Sequence, residues 1–358
     1  MDLILTAIAE MAQPFRMLML VTGVFAGLVV GVVPGVGGLF AMALLIPMTY
    51  GMDPYAAFAL LLGMGSVTTT SDTIPAILFG VPGSVGAAAT VLDGHAMAKK
   101  GEAARAFGAS YSASMIGGVF GALVLALAIP VMRPLVLYLK TPDFFAICAF
   151  GLSIVAILAG SQPLKGLAAA MLGMLASFVG IDQIAGVERW SFGQIYLWDG
   201  LPVSLVFLGL FGLPELASLL LRGSIQGSAE RPSYAGMRQG ILDTLREWPL
   251  VLSCSAIGSL LGAVPGIGIA VLDWIAYGHA SRRPGSGPKF GQGNVRGVIA
   301  PESANNAKEG GALIPTIAFG VPGSASMSIL LGAFVWLAAI SLLAPITPAM
   351  RMTIGAAI

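Results

Sequence analysis

The chain has 358 residues, 57% of them hydrophobic and only 10% charged, with a net charge of +1 and a mean hydropathy of +0.90. A soluble domain carries roughly 25% charge, so this composition describes a polytopic membrane protein. It excludes a nucleic-acid partner, because no basic cluster with interleaved aromatics is present, and the 48 Gly and 22 Pro come without the polar tracts of a disordered chain.

Asp2 and Glu10 precede Arg16, and there is no basic n-region of a signal peptide. The first apolar run, from Phe15 to Val33, is therefore expected to stay in the mature protein. Further hydrophobic stretches run over 54–92, 108–132, 144–160, 164–181, 198–221, 248–277 and 298–348. Several exceed one crossing and contain Gly and Pro, which predicts about nine to eleven membrane segments. The Arg-rich stretch 222–248 reads as a linker between two halves, and the basic loop 278–297 as a second polar loop. Both are placed in the cytoplasm by the positive-inside rule. Residues 93–108 read as a cytoplasmic loop or interfacial helix. Cys148 and Cys254 sit in apolar runs and read as small buried hydrophobes, not a disulfide.

Two motifs recur in the same order. "GVVPGVG" at 31–37 returns as "GAVPGIG" at 262–268, an offset of 231, and "TIPAILFGVPGS" at 73–84 returns as "LIPTIAFGVPGS" at 313–324, an offset of 240. Internal repeats are a signature of transporter folds. The predicted fold is an all-α polytopic membrane protein of two repeats with helices broken at Pro-Gly motifs. The loop matching 278–297 in the first copy, 49–55, has no Lys or Arg, so the repeats are read as inverted. The organisation that follows is a first transmembrane repeat at 1–135, intervening helices at 136–221, a linker at 222–248 and a second repeat at 249–358.

Each F-G-V-P-G-S interrupts an apolar run, and Ser84 and Ser324 are the natural N-caps of the helices beyond. A helix start inside a membrane presents free N–H groups and a positive dipole end to a carboxylate. Pro82, Gly83 and Ser84 with Pro322, Gly323 and Ser324 are accordingly read as substrate-binding, together with the amides Asn305 and Asn306. Pro34, Gly35, Pro265 and Gly266 are read as structural breaks. Intramembrane polar groups are costly and default to function, so Thr68, Thr69, Thr70, Asp72 and Glu302 are read as an ion site, their oxygens suiting Na⁺ or H⁺. The competing reading makes Thr68 to Asp72 caps of the helix starting near Pro75, and places Lys308 and Glu309 at a solvated loop end. No metal beyond a Na⁺ is expected. His95 and His279 have no partner at ligand spacing, "GMGSV" lacks the closing Gly of a nucleophile elbow, and no Walker loop is present. Two rivals stand beside transport: an intramembrane enzyme using Asp72 and Glu302, and a non-transporting scaffold.

The strings "GVVPGVGG", "GMDPYAAFALL", "FGVPGS", "LDGHAMAKKGEAARAFG", "GAVPGIG" and "APESANNAKEGGALIPTIAFGVPGS" resemble the large membrane subunit of the tripartite tricarboxylate transporters. The resemblance implies a permease subunit in the bacterial inner membrane, partnered by a small membrane subunit and a periplasmic solute-binding protein. It further implies uptake of a citrate-like organic carboxylate driven by a cation gradient, with Na⁺ or H⁺ as coupling ion and no other cofactor. Members of that family continue well past the second F-G-V-P-G-S, so the resemblance implies a chain that is either truncated at its C-terminus or an incomplete variant. "TTTSDTIP" also departs from the glycine-rich segment of many relatives, which implies a different solute or ion preference.

Overall fold

The computed structural model describes residues 9–33, 38–49, 51–138, 163–181, 187–198, 200–201, 234–264, 269–285 and 287–333, with positions 140, 142, 143, 146 and 149. These residues are helical apart from loops and a short antiparallel hairpin, β1 (Gly180–Ile181) with β2 (Glu188–Arg189). Pro34, Gly35, Pro265, Gly266 and Cys148 lie outside the described residues.

In the first copy, α1 (Pro14–Val32) opens on Pro14, where a missing N–H costs nothing. Gly23, Gly27 and Gly31 recur every four residues and form its buried face. Against that face lies α3 (Pro54–Ser71), after the short α2 (Gly38–Leu45). A Cβ at Gly27 would stand 2.6 Å from the Met64 carbonyl, and one at Gly63 2.7 Å from the Leu20 carbonyl. Small residues are what permit such backbone approach in a bilayer, where packing replaces the hydrophobic drive. Buried Arg16 pins the start of the pair, donating to Asp53 at 2.8 Å, while Asp53 caps α3 by accepting from the Ala56 N–H at 3.1 Å.

The second copy repeats these contacts. There α9 (Trp248–Gly262) packs on α11 (Arg296–Phe319), with α10 (Ile269–Arg282) alongside. Gly258 abuts the Ala304 carbonyl, and a Cβ at Gly262 would stand 2.6 Å from the Lys308 carbonyl. Shifted back by 231 on α9 and by 240 on α11, these pairs are Gly27 with Met64 and Gly31 with Thr68, which the first copy also brings together. The spacing difference between the sequence motifs is thus matched by which backbones touch.

Between the copies, α4 (Thr73–Phe79) and α5 (Ala88–Lys99) lead into α6 (Ala103–Tyr138), followed later by α7 (Pro163–Ser177). The glycines of α6 seat it on α11: Gly117 meets the Ser303 carbonyl, and a Cβ at Gly121 would be 2.6 Å from that of Ala307. Part of the stretch read as a linker is helical, as α8 (Tyr234–Arg246). It docks on α6 through Gly236 and Gly240, and Asp243 accepts from Arg105 at 2.7 Å. The stretch at 93–108, read as a cytoplasmic loop or interfacial helix, is mostly helix, with Asp93 and Met97 fully buried. Its buried half packs inward against the second copy, and Lys99 and Lys100 face outward.

Two described helices, Pro14–Val32 and Ala103–Met132, are long and apolar enough to cross a membrane. An apolar cluster that includes Met42, Leu61 and Met64 of the first copy with Ala312, Met327 and Leu330 of the second joins the copies.

Candidate functional site

The two F-G-V-P-G-S segments have the same backbone. Gly80 (φ 68°) and Gly320 (φ 64°) end α4 and α11 in the left-handed conformation, which costs glycine little. Val81 N–H closes back on the Pro75 carbonyl at 3.4 Å, and Val321 N–H on that of Pro315 at 3.3 Å. The turn then folds onto the helix that led into it. A Cβ at Gly83 would lie 2.7 Å from the Asp72 carbonyl, and one at Gly323 2.8 Å from the Ala312 carbonyl. The glycine after each proline is therefore demanded by this close return.

The side chains at the two turns differ. Ser84 accepts from the Gly86 N–H at 3.1 Å and donates to Asp72. Asp72 stands at the joint between α3 and α4; Pro75 cannot donate and its ring crowds the Ser71 carbonyl, which breaks the helix there. Its carboxylate makes no side-chain cap to α4 and turns instead to Ser84. Ser324 accepts from the Met327 N–H at 3.4 Å and caps residues 325–333. Its counterpart to Asp72 is the buried Ala312.

The polar face of α11 crosses to the first copy. Asn305, fully buried, donates to the Gly86 carbonyl at 3.4 Å. Asn306 donates to Thr70 Oγ1 at 2.8 Å and accepts from Thr69 Oγ1 at 3.3 Å. Glu302, also fully buried, accepts from Thr90 at 2.7 Å and from Ser114 of α6 at 3.0 Å. Lys308 is 2% exposed and donates to Glu309 at 2.6 Å; it lies mid-helix, not at the solvated loop end that composition had allowed. The helix places the consecutive amides on different partners, Asn305 toward Gly86 and Asn306 toward α3.

Asp72, Ser84, Asn305, Asn306, Thr69 and Thr70 are thus brought into one region where the copies meet. Thr68 back-bonds to the Met64 carbonyl at 2.6 Å in its own helix. Among the described residues, no hydrogen bond joins Ser324 to this cluster; its segment packs on α2 and α3 beside a cavity of about 210 Å³ that includes Gly65, Ser66, Glu309 and Met327 in its lining. Asp273 of α10 was not singled out from the sequence, yet it is fully buried and lies within electrostatic range of Asp72, Glu302 and Lys308. A lone acid in "IAVLDWIAY" was the available signal.

A family model for the tripartite tricarboxylate transporter TctA family matches residues 17–354. The chain belongs to the TctA family. Among curated proteins, this TctA chain is 31% identical over 326 residues to an uncharacterized 52.8 kDa protein in the TAR-I ttuC' 3' region of Agrobacterium vitis. That match covers 90% of this chain and 64% of the relative, so the chain spans less than two thirds of the relative's length. A second uncharacterized protein, in the TAR-II ttuC' 3' region of the same organism, is 37% identical over 78 residues, covering 22% of this TctA chain and 32% of the relative. No solved structure matches the chain. Membership in a transporter family, with the apolar composition and the two long apolar helices, makes this a membrane protein.

Proposed function

We propose that this chain is the large permease subunit of a binding-protein-dependent tripartite transporter, taking up an organic di- or tricarboxylate of the citrate type across the bacterial inner membrane. A small membrane subunit and a periplasmic solute-binding protein are its partners in this reading, and a cation gradient drives it. The observation that carries the reading is the junction of the copies: buried Asn305 and Glu302 and half-buried Asn306 of α11 reach Gly86, Thr69, Thr70 and Thr90 around the first Pro-Gly break. Broken helices with free backbone groups and amides, set between repeats, are the arrangement by which transporters hold an anion.

In this reading the turns Pro82–Ser84 and Pro322–Ser324, with Asn305 and Asn306, bind the carboxylate. The coupling cation binds near Asp72, among the oxygens of Thr68, Thr69, Thr70 and Glu302. The two repeats are taken as inverted, and the recurrence of the Gly27/Met64 approach as Gly258/Ala304 supports their being repeats. One repeat-derived bundle moves against the other, so that the site faces each side in turn.

The test is uptake of radiolabelled di- and tricarboxylates by cells lacking their own carboxylate permeases, expressing this chain with its small subunit and binding protein. Gradient-dependent uptake of one acid is expected, lost in Asn305→Ala and Ser324→Ala at matched membrane levels. Uptake unchanged by both substitutions would reject the site, and none by the wild type would reject the transport reading for this chain.

A further inference from the structure

Most buried polar atoms in a folded protein have a partner, and leaving one without costs free energy. Here Asp72 Oδ1, both carboxylate oxygens of Asp273, and Asn305 Oδ1 are buried without a hydrogen-bond partner. They come from three elements that converge: Ser84 holds the other oxygen of Asp72, Gly86 receives the amide of Asn305, and a Cβ at Gly86 would meet Ile269 of α10 at 2.6 Å. Asp273 sits one turn further along that helix, within electrostatic range of Asp72, Glu302 and Lys308.

All four orphans are acceptors. The neighbouring donors make their bonds elsewhere and none of them reaches these oxygens: the amide of Asn305 bonds to Gly86, the Ser84 hydroxyl to the other oxygen of Asp72, and the ammonium of Lys308 to Glu309. The hydroxyls of Thr90 and Ser114 serve Glu302, and those of Thr69 and Thr70 face Asn306, as donor and acceptor respectively.

We propose that Asp273, with Asp72 and Asn305, forms a Na⁺ site at the junction of the two copies. The donor set is oxygen only, as hard cations require, without the nitrogen or sulfur ligands that favour transition metals. Among the described residues no group of three His, Cys, Asp or Glu is close enough to chelate a metal ion, so the set suits a monovalent ion held by two carboxylates and an amide. A cation can be coordinated by several acceptors at once, whereas a proton on one carboxyl is shared with at most one further acceptor. The inference deepens the transport reading above and rests on it, by naming the coupling ion and a ligand outside the repeated motifs.

The experiment is thermal unfolding of the purified full chain in nanodiscs, titrated with NaCl against choline chloride and KCl at constant ionic strength and fixed pH. Na⁺ is expected to raise the midpoint saturably where choline and K⁺ do not. Asp273→Asn is expected to weaken half-saturation by about tenfold or more, since even outer partners of a bound ion are worth that much. Asp72→Asn reads the same site if Asp273→Asn does not fold, and Thr22→Val, on the exposed face of α1, should keep the wild-type half-saturation. A wild type that responds to pH but not to Na⁺, or a folded Asp273→Asn with unchanged half-saturation, overturns the site. Carboxylate uptake driven by a proton gradient without Na⁺ would reject this site and keep the transport reading; specific Na⁺ binding with no carboxylate uptake would do the reverse.

Discussion

The two Pro-Gly turns share a backbone and differ in what that backbone carries. Both end in a left-handed glycine, both fold back on a proline carbonyl, and both need a second glycine where the return is closest. In the first copy the turn holds a carboxylate through Ser84; in the second, the equivalent position is Ala312, and the polar groups sit up to three turns earlier on α11 as Glu302, Asn305, Asn306 and Lys308. The repeated part supplies a rigid break, and the unrepeated part supplies the chemistry. A second copy free of the first copy's function can donate side chains across the junction instead of building its own pocket.

The sharpest way to break this comparison is to make the copies alike. Ala312→Asp places a carboxylate at the position that matches Asp72, but inside the apolar cluster of Met42, Leu61, Met64 and Met327. It is expected to destabilise the chain by about 4 kcal/mol or more, the range reserved for unpaired buried charge, as read by SDS unfolding titrations followed through tryptophan fluorescence. A near-neutral Ala312→Asp would mean the turns are chemically equivalent.

Next come the capping glycines. Gly320→Ala meets nothing within 4 Å, so it should cost only the left-handed backbone penalty, about 1–2 kcal/mol. Gly80→Ala adds a Cβ 2.7 Å from the His95 ring, which brings overpacking and raises the expected cost to about 2–4 kcal/mol. Equal losses in the same titration would show that His95 yields freely.

The glycine stripes test the likeness of the copies directly. Gly27→Ala and Gly258→Ala both push a methyl group into a facing helix carbonyl and should each lose about 1–3 kcal/mol, matching within error. Unequal values would separate the two helix pairs. The smallest effect is expected from Ser324→Ala, about 0.5–1 kcal/mol for a lost cap, visible as a lower melting midpoint. A larger loss would mean that Ser324 has a partner beyond Met327.

What the sequence disclosed follows from how local each feature is. Gly80, Pro82, Gly83 and their counterparts announce a break by themselves, because glycine and proline obey backbone rules whatever surrounds them. Asn305 and Asn306 were legible because amides are costly in an apolar half. Asp273 was equally costly but has Met42 at the matching position of the first copy, so a search guided by repetition passes over it. The helix Tyr234–Arg246 was hidden by its arginines, which read as a linker; only its seat on Arg105 and Ala104 through Gly240 and Gly236 explains its packing. Burial of Asp93 depends likewise on partners two hundred residues away, which no local pattern encodes.

That last residue has a mechanical meaning. Asp93 of the first half accepts from the backbone N–H groups of Gly293 and Asn294, each at 2.8 Å, and from the Tyr277 hydroxyl at 2.8 Å, while Lys100 donates to the Gln292 carbonyl at 2.6 Å. The two halves cannot part at this end without releasing all of these bonds together, three of them to one fully buried carboxylate. Any rocking that leaves them intact has its fulcrum here, and the widest displacement then falls at the opposite end of the molecule.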